Sequence, residues 1–61
     1  MAARDLAEGM LPSETYVGLW YDDETHEIGI QHGYVVLMMP VEDYPEFVGL
    51  LQQAEKKLGK R

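Results

Sequence analysis

Tyr34-Val-Val-Leu-Met-Met-Pro-Val41 is the longest unbroken apolar run of the chain, and its reading decides the fold. Its composition favours a strand over Tyr34–Met39, because β-branched and aromatic side chains suit a pleated surface. In an extended chain, alternate side chains share a face. Val35, Leu37 and Met39 then point one way, and Tyr34, Val36 and Met38 the other. A strand with no polar face is normally covered on both sides. Pro40 has no N–H for a ladder and is expected to end the strand.

Downstream, Asp43-Tyr-Pro-Glu46 reads as a helix start. Asp43 is the expected N-cap, Glu46 its capping-box partner and Pro45 a tolerated first-turn residue. Phe47, Leu50, Leu51, Ala54 and Leu58 follow at helical spacing and predict one stripe packing inward. Acidic residues at the front and Lys56 and Lys57 at the back complement the helix dipole. Gly59 is the expected stop.

Upstream, Tyr16-Val-Gly-Leu-Trp-Tyr21 and Glu27-Ile-Gly-Ile-Gln-His32 read as two strands. The polar stretch Asp22–His26 joins them, which makes a β-hairpin. Trp20 shares a face with Tyr16 and Gly18. Gly29 offers a place where the Trp20 ring can lie across the neighbouring backbone. Gly9 and Pro12 interrupt the weak helical pattern of Leu6, Met10 and Leu11. Residues 1–15 are therefore expected to be a flexible leader with one loose turn at most.

The expected architecture is α+β: a three-stranded antiparallel β-meander followed by a C-terminal α-helix, in one domain spanning residues 16–61. A chain of 61 residues buries only about 60% of the surface that its unfolded form exposes. Small domains usually add disulfides, a metal or a second chain. With no cysteine in the sequence, neither a disulfide nor a thiolate metal site is available. One helix covers one face of the sheet, which leaves the other apolar face for a second copy of the chain. A homodimer is therefore expected, packed sheet to sheet or with the third strands paired edge to edge, and with Tyr34, Val35, Val36, Leu37, Met38, Met39 and Trp20 at its interface.

Charge narrows the partners. Eleven carboxylates lie between Asp5 and Glu55 with no Lys or Arg among them, and the net charge is −6. Such a surface repels phosphate and attracts cations or a basic protein. Double-stranded nucleic acid is not an expected partner. Neither is a membrane, because the longest apolar run is far below the roughly 18 residues of a span. The absence of cysteine and of a signal-like N-terminus suggests a soluble cytoplasmic protein. Asp22, Asp23, Glu24, Glu27, Glu42 and Asp43 form the expected acidic rim for a basic partner. In a dimer, the basic tail Lys56–Arg61 of one protomer is a further candidate for that rim.

Three chemistries compete with this reading. Asp22, Asp23, Glu24, His26, Glu27 and His32 are metal-ligand types, but they lack the spacing of a known loop and read better as a solvated turn. His26 or His32 beside a carboxylate is the only candidate acid/base pair, and it needs a pocket that so short a chain can hardly enclose. Tyr16, Trp20, Tyr21, Tyr34, Tyr44 and Phe47 could stack single-stranded bases, but single-strand binders add a basic groove that these strands lack. The expected function is a small acidic, non-enzymatic protein-interaction module without cofactor. Single-strand binding through the sheet aromatics is the alternative, with a metal-dependent or acid/base enzyme using His26 and His32 after it. The join between apolar strand and helix is a generic one and carries no functional signature.

Overall fold

A computed structural model describes residues 3–59. It is an α+β fold of four antiparallel strands in sequential order followed by one helix. The strands are β1 (Ala3–Met10), β2 (Tyr16–Asp22), β3 (Glu27–His32) and β4 (Val35–Pro40). A short 3₁₀ turn, Val41–Asp43, leads into α1 (Tyr44–Leu58).

The sheet therefore has four strands where the sequence predicts three. The segment expected to be a leader supplies the extra one, pairing Arg4 with Tyr21, Glu8 with Gly18 and Met10 with Tyr16. Residues 1 and 2 of that segment lie outside the described residues, as do Lys60 and Arg61 of the basic tail. Leu11–Glu14 forms the turn between β1 and β2. The Glu14 amide donates to the Leu11 carbonyl at 2.8 Å, and the Leu11 amide donates to the Thr15 carbonyl at 2.9 Å. Pro12 occupies the second position of that turn, where its fixed φ is favourable. Glu14 then takes a left-handed conformation, with φ 66°. A three-residue loop of this kind usually has glycine at that position. A bulge between Asp5 and Ala7 shifts the register, and the Arg4 guanidinium sits 5.7 Å from the centre of the Tyr21 ring, within cation–π range.

The expected alternation of faces is met in the other three strands. Leu19 pairs with Ile30, and Ile30 with Leu37; Tyr21 pairs with Ile28, and Ile28 with Met39. Directly paired residues share a face, so these side chains form one apolar surface. On the opposite face Trp20 pairs with Gly29, and Gly29 with Met38. A Cβ at Gly29 would overlap the Trp20 indole, which lies across the strand as the sequence suggests. Tyr34 departs from expectation. It sits with Gly33 (φ 60°) in a two-residue hairpin turn rather than in β4, and its side chain is fully exposed.

The helix also differs from its sequence reading. Asp43 already has right-handed helical dihedrals, φ −81° and ψ −17°, and makes no side-chain cap. The capping box does not form because the chain enters α1 through a 3₁₀ turn instead of from an extended residue. Gly59 follows the last helical residue as expected, but with φ −63° rather than in the left-handed stop conformation. Most importantly, the apolar stripe does not pack inward. No α1 residue is buried, and every residue from Leu50 to Gly59 is exposed. The expected cover of one sheet face by the helix is absent over that length.

Little is enclosed as a result. Ile28, at 3% exposure, is the one buried hydrophobic side chain among the described residues. It lies at the end of the sheet where the chain turns into α1, and Met39 opposite it is half-buried. The accessible surface is 5094 Å² for a 7.0 kDa chain, about 1000 Å² more than the roughly 4000 Å² expected for a folded monomer of this mass. The radius of gyration is 13.0 Å, against about 10.5 Å for a compact domain of the same length.

Candidate interaction surface

β4 is an edge strand, because the order β1-β2-β3-β4 leaves it with a neighbour on one side only. Val35, Val36, Leu37 and Met38 are between 65% and 40% exposed. They occupy both faces of the strand, so the edge is apolar above and below. Natural edge strands are usually shielded by charge, proline, bulges or a covering element, because a bare hydrophobic edge pairs with another chain. β4 has Pro40 at its end and no charged residue along its length. Of the residues expected at a dimer interface, Val35, Val36, Leu37 and Met38 form one continuous exposed strip; Met39 at its end is half-buried, Tyr34 stands on the turn beside it, and Trp20 lies half-buried over Gly29 on one of its faces.

A second apolar strip lies on α1. Leu50, Leu51 and Leu58 are each 54–55% exposed. Sequence periodicity identifies this stripe correctly as an apolar helix face. It does not reveal that the chain's own sheet leaves the face uncovered.

The acidic rim is assembled from two separate segments. Asp22 pairs with Glu27 at the base of the β2–β3 loop, and the Glu24 amide donates to Asp22 Oδ1 at 2.9 Å. The Val41 amide donates to the His26 carbonyl at 2.9 Å, which ties the 3₁₀ turn to that loop. Glu42 and Asp43 consequently lie at the same end of the sheet as Asp22, Asp23, Glu24 and Glu27. Among the described residues, no group of three His, Cys, Asp or Glu side chains is arranged to hold a metal ion.

The two histidines are not brought together. His26 is in the β2–β3 loop with φ 59°, and its Nδ1 is 3.2 Å from the Tyr21 hydroxyl. His32 closes β3 at the other end, about 20 Å along the strand at the usual rise per residue. There it borders an open hollow with Thr15, Tyr16 and Tyr34. The two histidines therefore lie at opposite ends of β3 and do not share one site.

The aromatics considered for stacking do not form one platform: Tyr34 is in a turn, Tyr44 and Phe47 are in α1, Tyr21 lies under Arg4, and Tyr16 and Trp20 have acids beside them. Asp5 pairs with Trp20, and Glu8 pairs with Gly18. Tyr16 folds across Gly18 to donate its hydroxyl to Glu8 Oε1 at 2.9 Å. That hydrogen bond, followed by desolvation and the negative charges of Glu8 and Asp5, raises the Tyr16 phenol above its usual 10.0. The contribution of β1 to this face is hidden in the sequence, because its carboxylates fall in a segment that reads as a leader. No helix among the described residues is long and apolar enough to cross a membrane.

No family model, curated protein or solved structure matches the chain. The functional reading therefore rests on the geometry of these surfaces.

Proposed function

We propose that the protein is a non-enzymatic interaction module that works as a homodimer, in which a second copy covers the β4 edge and the exposed apolar face of α1. The observation that carries this reading is the near absence of an enclosed core: one buried hydrophobic side chain among the described residues of a sheet-plus-helix chain with two exposed apolar strips. Conformational entropy opposes folding at every residue, and burial of apolar surface is the main term that offsets it. A chain that leaves Val35–Met38 and the helix leucines in water forgoes much of that term. The surplus of about 1000 Å² per chain is of the size that each partner contributes to a stable interface, roughly 800 Å².

The acidic end lies beyond the Pro40 end of β4, and its β2–β3 loop is one strand removed from the β4 edge, so it stays available in such a dimer. Its six rim carboxylates give it the charge to dock a basic protein, and this is the second part of the proposal. The carboxylates beside Tyr16 and Trp20 favour protein over nucleic acid as a partner, since phosphate would meet Asp5 and Glu8 at the stacking surface.

Thermal unfolding over a protein concentration series tests self-association. Folding coupled to dimer formation makes the melting temperature rise with concentration. A melting temperature independent of concentration over two decades would refute the proposal.

A further inference from the structure

We infer that two chains pair through β4 in one antiparallel register, with Leu37 of each protomer opposite Leu37 of the other. This rests on the homodimer proposed above and specifies how it is built. The parity of the strand comes from the hydrogen bond that the Val41 amide donates to the His26 carbonyl, which continues the register Glu27–Pro40 and Ile28–Met39. In an antiparallel pair, successive residues alternate between pointing their backbone groups at the neighbouring strand and away from it. Val35, Leu37, Met39 and Val41 therefore bond inward to β3. The hydrogen bond from the Gly33 amide to the Tyr16 carbonyl fits the same alternation, because it turns Gly33 toward β2 and leaves His32 to bond with Val35.

The outward backbone groups of β4 then belong to Val36, Met38 and Pro40. Pro40 has no N–H, so the edge offers two donors. A two-fold axis can place Val36 opposite itself, but Met38 then falls opposite Tyr34, which is in the turn. It can place Met38 opposite itself, but Val36 then falls opposite the donorless Pro40. Centring the axis on Leu37 sets Val36 against Met38 on both sides. All four donors are used, and neither the turn nor the proline is required.

This register also joins the apolar side chains of the two strands. Leu37 meets Leu37, and Val35 meets Met39, all on the apolar face of an eight-stranded sheet. The Pro40 end of one strand, where α1 begins, comes beside the Val35 end of the other. Each helix is thereby brought to its partner's exposed strip.

Single cysteines test the register without interference, since the chain has none of its own. Two Leu37 residues would form a non-hydrogen-bonded pair with Cα atoms about 4.5 Å apart, inside the range that a disulfide bridges. Two Val35 residues would be offset by four positions, about 13 Å. Mild oxidation of L37C is expected to give a covalent dimer on a non-reducing gel, at least tenfold faster than V35C. Oxidation of V35C as fast as L37C would overturn the register. A non-covalent dimer by sedimentation whose L37C form fails to cross-link would also overturn it while leaving self-association standing. A monomer by sedimentation would remove both. If L37C does not fold, amide exchange on the unmodified protein decides: slowed exchange at Val36 and Met38 supports the pairing, and free exchange at both refutes it.

Discussion

Gly29 is where a single side chain fixes the packing of one sheet face. The Trp20 indole occupies the space of a Cβ at that position, with Met38 on the next strand. Gly29→Ala forces the ring to move, and overpacking of this kind costs about 1–3 kcal/mol. Urea unfolding is expected to show that loss, with a changed Trp20 fluorescence in the folded state. Glu14 presents the opposite case. Its left-handed backbone, φ 66°, is strained for a residue with a Cβ, by roughly 1–2 kcal/mol. Glycine removes that strain but adds about 0.5–1 kcal/mol of chain entropy to the unfolded state. Glu14→Gly is therefore expected to stabilise the protein by about 0.5–1 kcal/mol in the same measurement, and unchanged or lower stability would contradict this account of the β1–β2 turn. The Trp20–Gly29 contact is legible in the sequence, because a glycine inside one strand leaves room for a large ring on the strand beside it. The Glu14 conformation is not, since left-handed glutamate has no sequence signature.

At the scale of elements, β2, β3 and β4 can be read from their sequences because β-branched and aromatic residues cluster between polar breaks. β1 cannot. Ala3-Arg-Asp-Leu-Ala-Glu-Gly-Met10 is poor in β-forming residues, and the bulge near Leu6 breaks the period of two on which strand recognition depends. Pro12 reads as an interruption, although it marks the turn that pairs β1 with β2. The α1 stripe reads correctly as amphipathic, but periodicity says which face is apolar and not what covers it. That distinction gives a direct test. In an isolated chain, Leu51→Glu changes an exposed position and costs almost nothing. In the proposed dimer it removes a buried leucine worth about 1.5–3 kcal/mol, so the dissociation constant is expected to rise tenfold or more. An unchanged dissociation constant would place α1 outside the interface.

For the whole molecule, the acidic rim shows how tertiary structure adds to what the sequence contains. Glu42 and Asp43 are far along the chain from Asp22, and the ladder between β3 and β4 brings them to one end. The members of this group and the apolar strip of β4 are visible in the sequence. The edge position of the apolar strand follows from the expected meander, but the gathering of the acids at one end follows from the register of strand pairing and is not visible. The chain as a whole is extended and nearly coreless, and its apolar strips lie on the edge strand and the terminal helix. The proposed second copy would reconcile that shape with a stable fold. Sedimentation equilibrium at micromolar concentration measures this most directly. The account predicts a mass of twice the 7.0 kDa chain; a well-folded species of 7.0 kDa that persists as concentration is raised would contradict it.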